Sequence, residues 1–295
     1  MKNYTRMNRV FLLLIIVYVG GSWLIGAVAP FLADTTFKAS IITEILLLLV
    51  PTAYCIRHNI DVPRKYMIRP VNLSTVLISM LFVALCYPLV TIANLASQLF
   101  ASNEASALID YMMGPNMAVN VLIMAILPGI VEELIFRGMF YNEYKEGGMI
   151  CGAVLSSVLF GLLHLNFNQF SYAIILGFVF ALIAEATGSI ITTMLCHMTL
   201  NGLNVLLVSL YSSFDISVSD VEISSNEIVL ALGAWSVIAA IATVGAVGVF
   251  MWLCKHTGRA AHMKQFMHIE HGRKITVSLV LSVILCVAYM VIFNN

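Results

Sequence analysis

The chain has 295 residues, of which 61% are hydrophobic and only 10% charged, and its mean hydropathy is +0.97. A soluble domain carries about 25% charged residues, so a water-soluble domain is excluded and the chain reads as a polytopic membrane protein. Fifteen Lys and Arg balance fifteen Asp and Glu, a neutrality that informs only once the charges are assigned to loops.

In chain order, Lys2, Arg6 and Arg9 precede an apolar stretch from Val10 to Leu32. Ala27-Val28-Ala29 resembles a signal-peptidase site, but the stretch is long enough to span and Pro30 would follow the cut, so it is read as an uncleaved anchor. Further spans are expected near 41–56, 71–100, 116–137, 149–165, 170–187, 189–210, 227–254 and 275–293, two of them short enough to be partly re-entrant. Backbone groups cannot stay unpaired in lipid, and the apolar runs are continuous rather than alternating, so these are helices and not barrel strands. The fold class is all-α, a polytopic integral membrane bundle of about 8–9 transmembrane helices. Six cysteines at 55, 86, 151, 196, 254 and 286 lie in or beside apolar runs without a CxxC, and read as packing residues.

The loops test the count. Basic residues fill the N-terminal tail, the loop 57–70 (Arg57, Arg64, Lys65, Arg69) and the loop 255–274 (Lys255, Arg259, Lys264, Arg273, Lys274). The loops 101–115 and 211–227 carry only acidic charges. With nine spans every basic loop falls on the side of the N-terminus, which the positive-inside rule places in the cytoplasm; a bacterial cytoplasmic membrane is the expected location. The organisation parses as N-terminal helices over 1–115, a catalytic four-helix core over 116–210 and C-terminal helices over 211–295. His256, His262, His268 and His271 share a basic loop but no tight ligand spacing, and an amphipathic segment on anionic lipid is the expected reading.

Ionisable residues inside spans are costly and functional by default. Here they are Glu44, Glu132, Glu133, Arg137, His164, Glu185 and His197, joined by the amides Asn94, Gln98, Asn201 and Asn204. Glu44 and Glu185 lie near span ends and are expected to reach the interface. Asn94 and Gln98, i and i+4, either bond across helices or line a cavity. In "EELIFR", Glu133 and Arg137 are one helical turn apart and within ion-pair reach, while Glu132 is rotated by about 100° and can face elsewhere. Taken alone, this could be a salt-bridge cluster at a helix end. Glu132 and Gly147 are fifteen positions apart, as are Met149 and His164, so a fold-back at Gly147-Gly148 would bring Glu132 level with His164. His197 and Asn201 share a face one turn apart, and alone could be an interhelical hydrogen-bonding pair.

Together these groups supply a carboxylate, two imidazoles and an amide on adjacent helices. A carboxylate beside an imidazole activates water as a general base, and an imidazole with a carboxamide can hold a developing oxyanion. The same Glu132, His164 and His197 could instead ligate zinc with water in the fourth position, although HExxH is absent.

At these residues the chain resembles the CPBP family of intramembrane proteases, which includes type II CAAX prenyl endopeptidases, bacteriocin-processing and abortive-infection proteins. The family pattern EExxxR, FxxxH, HxxxN is matched in order by Glu132-Glu133-Leu-Ile-Phe-Arg137, Phe160-Gly-Leu-Leu-His164 and His197-Met-Thr-Leu-Asn201, over roughly Asn116 to Leu210. The resemblance implies an intramembrane endopeptidase: Glu132 activates water with help from His164, His197 and Asn201 stabilise the oxyanion, and Glu133 and Arg137 orient the site. It implies a membrane-associated peptide or protein substrate in the bilayer and no nucleic acid. No cofactor is favoured, with zinc the alternative. A non-catalytic immunity or scaffold protein that kept the site remains the competing class, and a proton-relay transporter is disfavoured because no inverted repeat is visible.

Overall fold

The computed structural model describes residues 4–101, 116–212, 224–266 and 274–293. Among the described residues there are helices and no strands. Seven helices are long and apolar enough to cross a membrane: α1 (Tyr4–Val28), α2 (Thr36–Arg57), α4 (Leu73–Ser97), α5 (Met117–Gly147), α7 (Phe167–Thr187), α8 (Ile190–Ser212) and α9 (Ser225–His256). Two shorter apolar helices are α6 (Met149–Leu163) and α11 (Val277–Phe293), and α3 (Val62–Lys65) and α10 (Ala260–Met263) are single turns. The nine expected apolar segments are all helical. The largest boundary change is in the fourth, expected to stop at 137, which continues to Gly147.

Local chemistry sets several ends. Thr35 caps α2 by accepting from the Lys38 amide, Asn166 caps α7 by accepting from Gln169, and Ser224 with Glu227 forms a capping box at α9. Gly148 joins α5 to α6 at φ +114°, a conformation closed to most L residues. The fifteen residues of α6 rise only about 22 Å, short of a hydrocarbon core about 30 Å thick.

Burial is concentrated on α5. Every residue from Ile135 to Tyr144 is buried, against Met7, Phe11 and Leu14 of α1, Val50 and Tyr54 of α2 and Leu159 and Leu163 of α6. α1 pairs with α2 and α11, α9 with α4, and α7 with α4 and α6. The outer faces of α1, α9 and α11 present Leu24, Leu230, Val244 and Ile292, as lipid-facing surfaces require.

Several polar groups pair between helices. Asn168 on α7 donates to Asn94 Oδ1 at 3.0 Å and Ser97 Oγ at 2.8 Å on α4, and Gln98 also donates to Asn94 at 2.6 Å. Asn94 and Gln98 therefore form a helix-crossing node.

The three basic segments gather at one end of the bundle. The Asn8 amide donates to the Lys274 carbonyl at 3.1 Å and accepts from Tyr144 at 2.5 Å; the Ile190 amide donates to Met67, and Ile150 to Phe266. Lys65 meets Glu143 at 2.7 Å. Partial burial works against the Lys65 ammonium, but the Glu143 carboxylate holds it above its ordinary range. The loop charges placed these segments on one side, and the fold brings them together; most of the acidic loops 101–115 and 211–227 lies outside the described residues.

One expectation is corrected here. Glu185 was expected to reach the interface, yet it is 1% exposed. It accepts from Tyr141 at 2.8 Å, Lys145 at 3.0 Å, Arg259 at 3.0 Å and His262 Nε2. The spacing of Arg259 and His262 from Glu185 gives no sign of this contact, because only tertiary folding returns the end of α9 to the end of α7. His256 bonds Ser74, while His268 and His271 lie outside the described residues.

Candidate active site

The site forms around a length of α5 that departs from regular α geometry. Pro128 has no N–H to donate to the Met124 carbonyl, and the preceding backbone widens into a π-helical stretch over Leu122–Ile126. A second π stretch covers Leu134–Tyr141, directly after the carboxylates. Such widened turns recur at functional positions in helices. The Asn142 side chain supports this one by donating to the Arg137 and Gly138 carbonyls, both at 2.9 Å.

Between the two stretches stand Glu132 and Glu133. Glu133 is fully buried and its Oε1 accepts from Arg137 Nη1 at 2.7 Å. The same oxygen lies 3.0 Å from His197 Nδ1. Glu132, whose side chain is 13% exposed, has Oε2 at 3.7 Å from His197 Nε2. His197 thus stands between the two carboxylates, one ring nitrogen toward each. The sequence reading grouped Glu132 with His164; the structure puts His197 nearer to Glu132 than any other imidazole contact it records.

Phe160 and Phe180 complete the inner wall. The Arg137 guanidinium sits 4.3 Å from the Phe160 ring centre and 5.1 Å from that of Phe180, and the His197 ring packs against both. Burial between two rings lets a single-hydrogen-bond ion pair persist with Arg137 Nη2 and Glu133 Oε2 unpartnered. The role of Phe160 was not read from FxxxH, where only the histidine drew attention; Phe180 carries no motif, and only three-dimensional contact reveals it.

His164 is the C-cap of α6. Its Nδ1 lies 2.9 Å from the Phe160 carbonyl, and its ring meets Phe160 edge-on. Phe160 in turn touches Phe136. Because α5 and α6 run antiparallel through Gly148, one turn back from Phe136 and one turn on from Phe160 bring Glu132 and His164 to one level. Asn201 is half-buried one turn beyond His197 on α8. Close approach of α8 to α5 depends on Gly129, where a Cβ would lie 2.7 Å from Met198 Cγ and 3.2 Å from its backbone nitrogen.

Residues 114–203 match the family model for type II CAAX prenyl endopeptidase Rce1-like proteins. Over that segment the chain is similar to Rce1-like proteins. The matched segment contains all three motifs and runs through α5, α6, α7 and most of α8. A curated relative, "Putative membrane peptidase YdiL" of Bacillus subtilis (strain 168), is 24% identical over 107 residues. That match covers 36% of this chain and 43% of the relative, so less than half of the relative's length is represented. No solved structure matches. The matched segment does not include α1–α4 or α9–α11.

Both histidines are anchored through Nδ1, to the Phe160 carbonyl and to Glu133. This leaves each Nε2 open, as in metal-bound histidines. The donors are nevertheless too dispersed: among the described residues no three His, Cys, Asp or Glu side chains come close enough to hold a metal ion.

Proposed function

We propose that the protein is an intramembrane endopeptidase in which Glu132 activates water against a peptide bond of a membrane-associated substrate. The observation that carries this reading is the opposed placement of Glu132 and Glu133 across His197, at 3.7 and 3.0 Å, with Glu133 tied to Arg137. One carboxylate is neutralised and holds the imidazole; the other is left for chemistry. The Rce1-like match and the peptidase relative support the reaction class.

In this mechanism Glu132 takes a proton from water as the oxygen adds to the scissile carbonyl, and returns it to the leaving amine. Glu133 accepts from Nδ1–H of His197 and fixes the ring, which the mechanism uses as an imidazolium. Nε2–H is then free to donate to the developing oxyanion, with Asn201 as the second donor. His164, at the level of Glu132, assists the water. Phe160 and Phe180 exclude bulk water from the charges, which strengthens each of these interactions. The substrate is a membrane-associated protein, or a leader or signalling peptide; prenylation is not implied by any residue described above.

Comparison of membrane and secreted peptides from wild-type and Glu132→Ala cells tests the reading. Peptides that accumulate uncut in the variant are the expected result. Identical peptide profiles, with the variant present at wild-type level, would overturn it.

A further inference from the structure

A cleft of about 470 Å³ lies between α4, α6, α7 and α9, and none of its walls comes from α5 or α8. Its floor is α7, with Phe178 and Leu182; Phe82 of α4 and Val247 and Phe250 of α9 form one wall, and Val154 of α6 the other. Val154 and Val247 are exposed, so the cleft opens toward the bilayer. No charged side chain lines it. The two hydroxyls on its walls are turned back onto their own helices: Ser157 donates to the Ala153 carbonyl at 2.5 Å and Thr243 to the Ala239 carbonyl at 2.7 Å. Water needs several polar partners to stay in such a space, so the occupant that fits is a hydrocarbon chain.

One end of the cleft meets the basic segments. Beyond α9 the chain crosses the end of α7 to reach the start of α6. The Arg259 amide returns to the Cys254 carbonyl at 2.9 Å, and Ala260 and Met263 join Phe250 against Leu253. The Phe266 ring then meets that of Phe178 with centres 6.3 Å apart, and the Phe266 carbonyl accepts from the Ile150 amide at 3.1 Å. Phe178 and Phe250 both line the cleft, so this crossing closes its end. Arg259 and His262 on the crossing are engaged by Glu185. Lys255 and Lys264 are exposed, and neither has an ion pair among the described residues. Basic residues beside a membrane span attract acidic lipid head groups. Apolar walls below two unpaired cations complement one kind of bilayer molecule, an acidic phospholipid.

We propose that the cleft binds an anionic phospholipid of the leaflet bordering the basic segments, its acyl chain between α6 and α9 and its phosphate at Lys255 and Lys264. Phe178 and Val179 of the cleft flank Phe180, which touches Arg137 and His197 from the other side of α7. The bound chain backs the helix that carries this ring and stabilises the bundle without entering the site. Binding of this kind is independent of hydrolysis.

The test titrates full-length protein, freed of lipid in detergent, with phosphatidylglycerol or phosphatidylcholine of identical acyl chains. Bound lipid is counted by native mass spectrometry and the thermal unfolding midpoint is read alongside. Wild type should hold one phosphatidylglycerol at least tenfold more tightly than phosphatidylcholine, and its midpoint should rise on binding. Each cation beside the head group is worth on the order of fivefold in affinity, so joint Lys255→Gln and Lys264→Gln substitution should erase the preference. Val154→Trp, which fills the cleft from its exposed edge, should weaken binding of both lipids, and Val247→Trp serves the same purpose from the opposite wall. Val229→Trp, at an exposed position of α9 outside the cleft, should bind as wild type does. Equal affinity for the two lipids, a preference that survives loss of both lysines, or cleft-filling variants that bind like wild type would each overturn the proposal. So would a chain recovered from the cleft as part of a covalently lipidated peptide, which would assign the space to substrate.

Discussion

Arg137 has its guanidinium between two aromatic rings and spends one hydrogen bond on Glu133. Removing it strands a fully buried carboxylate, for which a loss of about 3–5 kcal/mol is typical. Arg137→Met should therefore lower the thermal unfolding midpoint sharply in detergent, whereas joint replacement of Glu133 and Arg137 by apolar residues should recover much of it. Phe160→Leu removes the nearer ring; desolvated cation–π contacts are worth about 2 kcal/mol, and the variant should show a smaller loss by the same measurement. The i,i+4 spacing made the Glu133–Arg137 bond legible in the sequence, because a helix fixes which residues can meet one turn apart. The aromatic clamp was not legible, since Phe180 reaches Arg137 from another helix and no local pattern distinguishes it from the other phenylalanines of an apolar chain.

At the scale of elements, the site depends on how closely α5 and α8 approach. Gly129 permits that approach, and Gly129→Ala pushes a methyl group into Met198, including its backbone nitrogen. Met198 follows His197, so the displacement falls on the ring that faces both carboxylates. Peptidase turnover should drop more than tenfold while the protein remains folded, as measured by cleavage rate and thermal midpoint side by side. The π-helical stretch over Leu134–Tyr141 rests on Asn142; Asn142→Leu should leave two carbonyls without their side-chain donor and increase amide hydrogen exchange over that stretch. Apolar run length announced nine helices, but nothing in the run announced π geometry. Pro128 marks where the first departure begins, while the second has no comparable mark.

For the whole molecule, the end bearing the basic segments is held by Glu185, which joins α5 through Tyr141 and Lys145 to the C-terminal helices through Arg259 and His262. Glu185→Gln should weaken all of these at once. The expected outcome is faster hydrogen exchange in residues 255–266 and at the end of α5, together with a lower unfolding midpoint. Loop charge alone was enough to place the basic segments on one side. It could not locate the acidic residue that ties them, because Glu185 resembled any carboxylate near a span end until the fold surrounded it with cations.

The central claim is the division of labour between two adjacent carboxylates, and it is tested most directly by the cleavage rate of one identified substrate peptide by the purified protein in liposomes, compared for wild type, Glu132→Gln and Glu133→Gln. Loss of a general base costs about 10²–10⁴-fold. Glu132→Gln should lose at least a hundredfold in rate at an unchanged unfolding midpoint, while Glu133→Gln should lower the midpoint as well. Full proteolysis by a folded Glu132→Gln protein would contradict the account.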